Sequence, residues 1–218
     1  MDTQFNDSHI NDLQGDAIKQ IFIYAGRVAD LHAALTSLQG GLFRRKILQN
    51  LATSMTLDQI EEIRKEVGRE EIQRHLNLLL EFKLVEGVAV DGSDGYVRTQ
   101  LGERAINYVR KLEEKIDQDR SNKIFQSSLG KNSIRLFLKV YGLPKESEGG
   151  DIIYTPLEIG QMCTFLPRTI EGIAAIDKLD DAGLVSYLED GRIHVNPRRS
   201  VAFYQYLKEL YMLIFEQS

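Results

Sequence analysis

The sequence predicts a mainly α-helical chain with short β-hairpins, built as two copies of one unit in tandem. Three observations predict it. Apolar residues recur at three- and four-residue steps through most of the 218 residues. Two clusters of turn residues, Asp91-Gly92-Ser93-Asp94-Gly95 and Glu189-Asp190-Gly191, sit between short β-prone runs. The second half also repeats the first at an offset of 100 residues. Leu76 falls on Ile176, Leu79 on Leu179, Leu84 on Leu184, Val85 on Val185 and Glu71 on Glu171.

Each element follows from its own residues. Residues 10–38 carry Ile10, Leu13, Ile18, Phe22, Ala25, Val28, Leu31 and Leu35 at helical spacing. Gly15 falls inside this stretch and leaves open one helix or two; Gly40-Gly41 ends it. A helix over 43–53 buries Ile47, Leu48 and Leu51, and its start is basic: Arg44, Arg45 and Lys46. Thr56 is placed as an N-cap for a short helix through Leu57, Ile60 and Ile63. Gly68 breaks that helix. The next starts near Arg69 and carries Ile72, Leu76, Leu79 and Leu80 on one face. Val88, Ala89 and Val90 pair with Tyr96, Val97 and Arg98 in a hairpin, and a helix over 101–116 follows. The polar segment 117–131 is read as a linker or a helix break, and the chain is divided into domains 1–120 and 121–218.

The second half runs in the same order. A short apolar helix over 133–141 leads into a polar loop over 142–151. Thr155-Pro156-Leu157-Glu158 is a capping box with proline at the first helical position. That helix runs to about Phe165, and Pro167 opens the next, which Gly183 stops. Residues 185–188 and 192–195 form a second hairpin, and an aromatic helix over 199–215 closes the half.

Composition narrows the chemistry. There are 27 Lys and Arg against 32 Asp and Glu, a formal charge of −5. That balance argues against coating nucleic acid through bulk charge, so any such binding needs a specific surface. A single cysteine excludes an internal disulfide framework and the paired thiols of a Cys-rich metal site. His9, His32, His75 and His194 stand at no metal-ligand spacing from one another or from Cys163. Cys163 lies among apolar neighbours and reads as a buried inert thiol; a redox thiol would need a nearby positive charge. No phosphate loop, dinucleotide fingerprint, nucleophile elbow or zinc-protease motif is present. Acid pairs such as Glu61-Glu62 and Asp180-Asp181 diverge by about 100° on a helix, which makes them solvated charges rather than catalytic dyads. The expectation is a protein that is not an enzyme and takes no cofactor or metal. No apolar run approaches the roughly 20 residues that cross a bilayer, and the polar N-terminal stretch is no secretory signal. A soluble cytoplasmic protein is expected.

The segments FRRKILQNLA, RHLNLLLEFKLV and YVRTQLGERAINYV in the first half carry a family resemblance. TPLEIGQM, AIDKLDDAGLV and the hairpin EDGRIHV carry it in the second. Each half resembles a winged helix-turn-helix domain of the broad type found in ArsR- and MarR-like transcription regulators. The resemblance covers about residues 40–115 and 132–197. It implies two winged helix-turn-helix domains in tandem, and in such a domain one helix enters the major groove of DNA. Winged helices also serve as protein-interaction modules.

The resemblance makes the helix from Arg69 the reading helix. With Ile72, Leu76 and Leu79 buried, Glu70, Arg74 and Asn77 face outward and Gln73 lies on the flank. Arginine can pair with guanine, and asparagine or glutamine with adenine. Arg69, near the helix start, suits a phosphate. Arg44, Arg45 and Lys46 would supply backbone contacts. A solvated helix face shows the same pattern. Glu70 and Glu71 count against DNA, and Asp91 and Asp94 at the wing tip repel a phosphate backbone. In the second half the equivalent face is Ile170, Ile173, Ala174 and Asp177. It has almost nothing for a base edge and suits a protein partner. The first and last helices offer a homodimer contact, or they complete the core of one chain.

Two readings follow. The first is a transcription regulator, a homodimer that binds double-stranded DNA through Arg69, Gln73, Arg74 and Asn77 of the first winged-helix domain. The alternative is a non-enzymatic tandem winged-helix scaffold for protein interactions. A regulator needs a contiguous positive face along Arg44, Arg45, Arg69 and Arg74. A scaffold shows an exposed apolar patch near Ile170 and Ile173.

Overall fold

A computed structural model describes residues 15–37, 40–116, 124, 129–142, 152–166 and 168–215. The chain is mainly helical, with two small antiparallel sheets of three strands each.

Two N-terminal helices, α1 (Asp16–Ile23) and α2 (Ala25–Thr36), come first. Gly15, with φ 89°, stands just before α1, and the break between the helices falls at Tyr24, not at the glycine. The start of the expected 10–38 stretch lies outside the described residues. Then follow α3 (Gly41–Asn50), β1 (Met55–Thr56), α4 (Leu57–Ile63), α5 (Arg69–Glu81), β2 (Val85–Val90), β3 (Ser93–Arg98) and α6 (Gln100–Lys115). The second unit repeats them as α7 (Lys131–Gly142), β4 (Ile152–Tyr154), α8 (Pro156–Met162), α9 (Thr169–Asp181), β5 (Val185–Tyr187), β6 (Ile193–Val195) and α10 (Pro197–Phe215). A 3-10 turn over Cys163–Phe165 ends α8 earlier than expected. The strand orders match: β1-β3-β2 in the first sheet and β4-β6-β5 in the second. The short strands β1 and β4 are additions to the sequence reading. Most of the expected linker 117–131, the loop over 143–151 and Pro167 fall outside the described residues.

The duplication reaches single hydrogen bonds. Thr56 with Gln59 and Thr155 with Glu158 form full capping boxes, each satisfying two free amide groups at a helix start. At the far end of the long helices, Leu84 N donates to Leu79 O and Leu184 N to Leu179 O, both at 2.9 Å. This six-residue closure requires a left-handed residue, supplied by Lys83 (φ 51°) and Gly183 (φ 67°). Leu84 and Leu184 are both fully buried beneath it. Their carbonyls then accept from Thr99 N at 3.1 Å and Asn196 N at 3.0 Å, which fixes where the last helix of each unit begins.

One hydrophobic core runs through both units and both N-terminal helices. Helix α2 lies against α3, α7 and α10, and buries Val28, Leu31 and Leu35. Helix α6 packs along α10. Phe203, Tyr206, Leu207, Leu210 and Leu213 of α10 are buried in the same core. The first and last helices therefore complete the core of one chain, and their buried faces are not free for a dimer. The His32 ring of α2 sits 3.2 Å from the Tyr206 hydroxyl, and burial pushes its imidazole down to about 4.

Two buried arginines close the ends of the N-terminal helices. Arg135 of α7 donates Nε–H to Phe22 O at 3.1 Å, at the end of α1. Arg44 of α3 donates Nε–H to Ala34 O at 2.5 Å and an Nη2 hydrogen to Ala33 O at 3.2 Å, at the end of α2. Both place a cation where a helix dipole carries its negative pole. Burial pushes the Arg135 guanidinium down to about 10. Among the described residues no helix is long and apolar enough to cross a membrane.

Candidate functional site

Helix α5 is anchored by Ile72, Leu76 and Leu79, all fully buried, together with His75. That register turns Arg69, Glu70, Arg74 and Asn77 to solvent and leaves Gln73 half-buried on the flank, as the periodicity predicts. Arg69, Glu70, Gln73, Arg74 and Asn77 converge with Leu57 of α4 around one open depression of about 420 Å³. Gln73 Nε2 donates to Asn77 Oδ1 at 2.9 Å and to the Tyr96 hydroxyl of β3 at 3.2 Å, tying the face to the sheet.

The cations of this face are already engaged. Arg69 forms ion pairs with Asp58 and with Glu61, the latter at 3.0 Å, and these hydrogen bonds, Asp58 first, push its guanidinium up. Arg74 pairs with Glu71 at 2.5 Å, which holds the Glu71 carboxyl below its usual range. With Glu70 included, the face carries two guanidiniums against four carboxylates. Asp91 and Asp94 are exposed at the tip of the first hairpin and add to the same sign.

The basic cluster on α3 is split by burial. Arg44 is 7% exposed and spends its guanidinium on Ala33 O, Ala34 O, Ser37 Oγ and His75 Nδ1. It therefore does not present a phosphate contact, contrary to the expectation, because a helix steps by 100° per residue and position 44 points into the core. Arg45 is half-buried and donates to Glu113 Oε1 of α6 at 2.7 Å. Lys46 is exposed. Arg44 is thus buried, and Arg45, Arg69 and Arg74 are each paired with a carboxylate.

The same surface of the second unit has a different chemistry. The caps Thr56 and Thr155 are equivalent, so Asp58 corresponds to Leu157 and Glu61 to Gly160. On the long helix Arg69 corresponds to Thr169, Glu70 to Ile170, Gln73 to Ile173 and Arg74 to Ala174. Leu157 is 72% exposed, Ile170 69% and Ile173 52%. Ala174 is exposed, and Tyr187 of β5 is exposed beside Asp177, to which its hydroxyl donates at 3.0 Å. Ile170, Ile173 and Ala174 thus lie where the periodicity put them. Leu157 and Tyr187 were missed. Leu157 stands inside a capping box read only for its cap, and matching the caps at 99 residues instead of 100 would have found it.

Cys163 is half-buried against Gly172, and burial pushes its thiol up, which keeps it protonated. No protein-family model, no curated protein and no solved structure matches the chain.

Proposed function

We propose that the chain is a non-enzymatic protein-interaction scaffold made of two winged helix-turn-helix units, each with a β-hairpin wing. The repeated helix order, the shared strand order and the two matched hairpins support the tandem winged-helix reading. One observation carries the scaffold reading. At equivalent positions, the exposed face is Asp58, Glu61, Glu70 and Arg74 in one unit and Leu157, Gly160, Ile170 and Ala174 in the other. The folding core is kept while four charged or polar positions of the face become apolar; Thr169 and Asp177 stay polar. Exposed apolar side chains grouped on one face suit burial against a protein. The acidic first face and wing add a surface unsuited to phosphate.

DNA binding through the first unit is the second reading. It is favoured by the convergence of Arg69, Gln73, Arg74 and Asn77 on one depression. There Arg45 and Lys46 remain as backbone contacts, and Glu71 must release Arg74.

Fluorescence anisotropy with random-sequence duplex DNA, at about 50 and 200 mM salt, separates the two. The scaffold reading expects no salt-sensitive binding, and identical traces for the Arg69→Ala/Arg74→Ala variant. Binding that weakens steeply with salt and is lost in the variant overturns it in favour of a DNA-binding regulator.

A further inference from the structure

We propose that a polar cavity between α7 and α9 binds a phosphate group, either the free ion or one carried by a small molecule. Such a site is independent of what covers Ile170 and Ile173.

The cavity, of about 360 Å³, is lined by Lys131, Asn132 and Ser133 at the start of α7 and by Glu171, Ala174, Ala175 and Lys178 of α9. Small-molecule sites occupy roughly 300–1,000 Å³. The first unit shows how the space arises. There Glu71 pairs with Arg74 at 2.5 Å and lies 3.0 Å from His75 Nε2. At the offset of 100 residues the carboxylate persists as Glu171, but Ala174 and Ala175 stand in place of both partners. Leu78, packed against the core, becomes the half-buried Lys178. The second unit therefore keeps a carboxylate, opens the room beside it and adds a cation.

The start of α7 supplies further donors. Ile134 N donates to Gly130 O at 3.0 Å, the first bond of the helix. The amides of Asn132 and Ser133 precede that bond and have no acceptor among the described residues. Ser133 is only 2% exposed, yet it lines the cavity, and its hydroxyl has no hydrogen-bond partner among the described residues. Buried polar groups normally have one. Lys178 forms no ion pair with another described residue, and the exposed Lys131 adds a second positive charge to the lining. The dipole of α7 places its positive pole at the same end.

Two amides, a hydroxyl and an ammonium suit the three terminal oxygens of a phosphate better than the two of a carboxylate. Glu171 sets the selectivity. Asn132 Nδ2 donates to its Oε2 at 3.3 Å, and the carboxylate retains capacity to accept a hydroxyl hydrogen. A protonated phosphate, or a hydroxyl on its organic body, supplies that hydrogen. Sulfate at neutral pH has none to offer and is repelled.

Isothermal titration calorimetry of the full chain with inorganic phosphate tests the site, from about 10 μM to 10 mM at an ionic strength held constant with chloride. Saturable binding at one site per chain is expected, with sulfate weaker. Lys178→Gln should raise the dissociation constant about tenfold or more, and Ser133→Ala, which changes little volume, about fivefold. Lys208→Gln, exposed on α10, should leave it unchanged. Glycerol 3-phosphate separates the sources: binding tighter than that of inorganic phosphate assigns the cavity to an organic phosphate, and weaker binding to the free ion. Thermal melts without phosphate check that the variants are folded, and added phosphate should raise the melting temperature only where binding persists.

Absence of saturable binding overturns the site. So does binding that Lys178→Gln and Ser133→Ala leave intact, or sulfate bound as tightly as phosphate. None of these results bears on the DNA titration, which alone decides the scaffold reading.

Discussion

Arg44 donates an Nη1 hydrogen to Nδ1 of His75 at 3.0 Å, and this bond fixes the imidazole. An arginine cannot accept, so Nδ1 must be unprotonated and the ring proton sits on Nε2. Nε2 lies 3.0 Å from Glu71 Oε1, whose carboxylate also receives Arg74. A chain of charge-assisted contacts thus runs from the carbonyls closing α2, through α3, to the outer face of α5. Arg44→Leu should break it at the buried end, taking the arginine's hydrogen bonds from Ala34 O and His75 Nδ1, while Ala33 O keeps the Ser37 amide. The expected cost is about 3 kcal/mol, read as a lower urea midpoint. Arg69→Ala, on the exposed face, should leave that midpoint unmoved.

Acid should weaken the fold before carboxylates dominate. His32 is neutral in the core, with its value moved from 6.5 down to about 4 by burial. The unfolded chain therefore binds a proton that the folded chain refuses whenever the pH lies between these values. Stability is full above about pH 6.5 and falls as the pH drops toward 4, by about 3 kcal/mol from this residue. His75, pushed down by burial and then by Arg44, acts with the same sign. Urea melts of the wild type and His32→Gln at stepped pH should differ in slope across this window, the variant being flatter.

Equivalent turns offer a matched pair of substitutions. Lys83 holds φ 51° where Gly183 holds φ 67°. Lys83→Gly should stabilise the chain by up to about 1 kcal/mol, since a side chain is disfavoured in the left-handed region. Gly183→Lys should cost about 2 kcal/mol, because the new Cβ also meets the Arg199 guanidinium. Thermal melts of both variants should move in opposite directions.

Two helical glycines should also respond with opposite signs. A Cβ on Gly102 would run into the Leu84 carbonyl and the Arg98 side chain, where α6 crosses the turn below the hairpin. Gly102→Ala should cost about 2–3 kcal/mol. Gly160 of α8 has nothing within 4 Å of that position. Gly160→Ala should stabilise by up to about 1 kcal/mol through helix propensity. Equilibrium unfolding of each single variant measures both.

What the sequence revealed follows from which forces are periodic. Ile72, Leu76 and Leu79 repeat at helical spacing, so the outward set of α5 was legible to the residue. The repeat exposed the second unit, including Ile170, Ile173 and Ala174. The two-residue strand β1 has no period to detect, and Ile152-Ile153-Tyr154 followed a polar stretch that masked its β-prone character. Arg44 was misplaced because a buried arginine looks like any other until its acceptors are known, and two of those lie ten and eleven residues upstream on α2, with a third on α5. The ion pairs that neutralise Arg69 join α4 to α5 and depend on how two helices meet. Spacing on one helix does not contain that information.

The contact between His32 and Tyr206 spans 174 positions of the chain. A ribosome adding about 5–20 residues per second takes roughly 10 to 35 s to cover that interval. Throughout it, α2 exists without α10, and His32 lacks the Phe203 and Tyr206 rings it packs against. The first unit must wait, partly unburied, for the last helix to be made. Elongation rate and chaperone occupancy during those seconds, more than the final stability, should then govern how much of this chain is recovered folded.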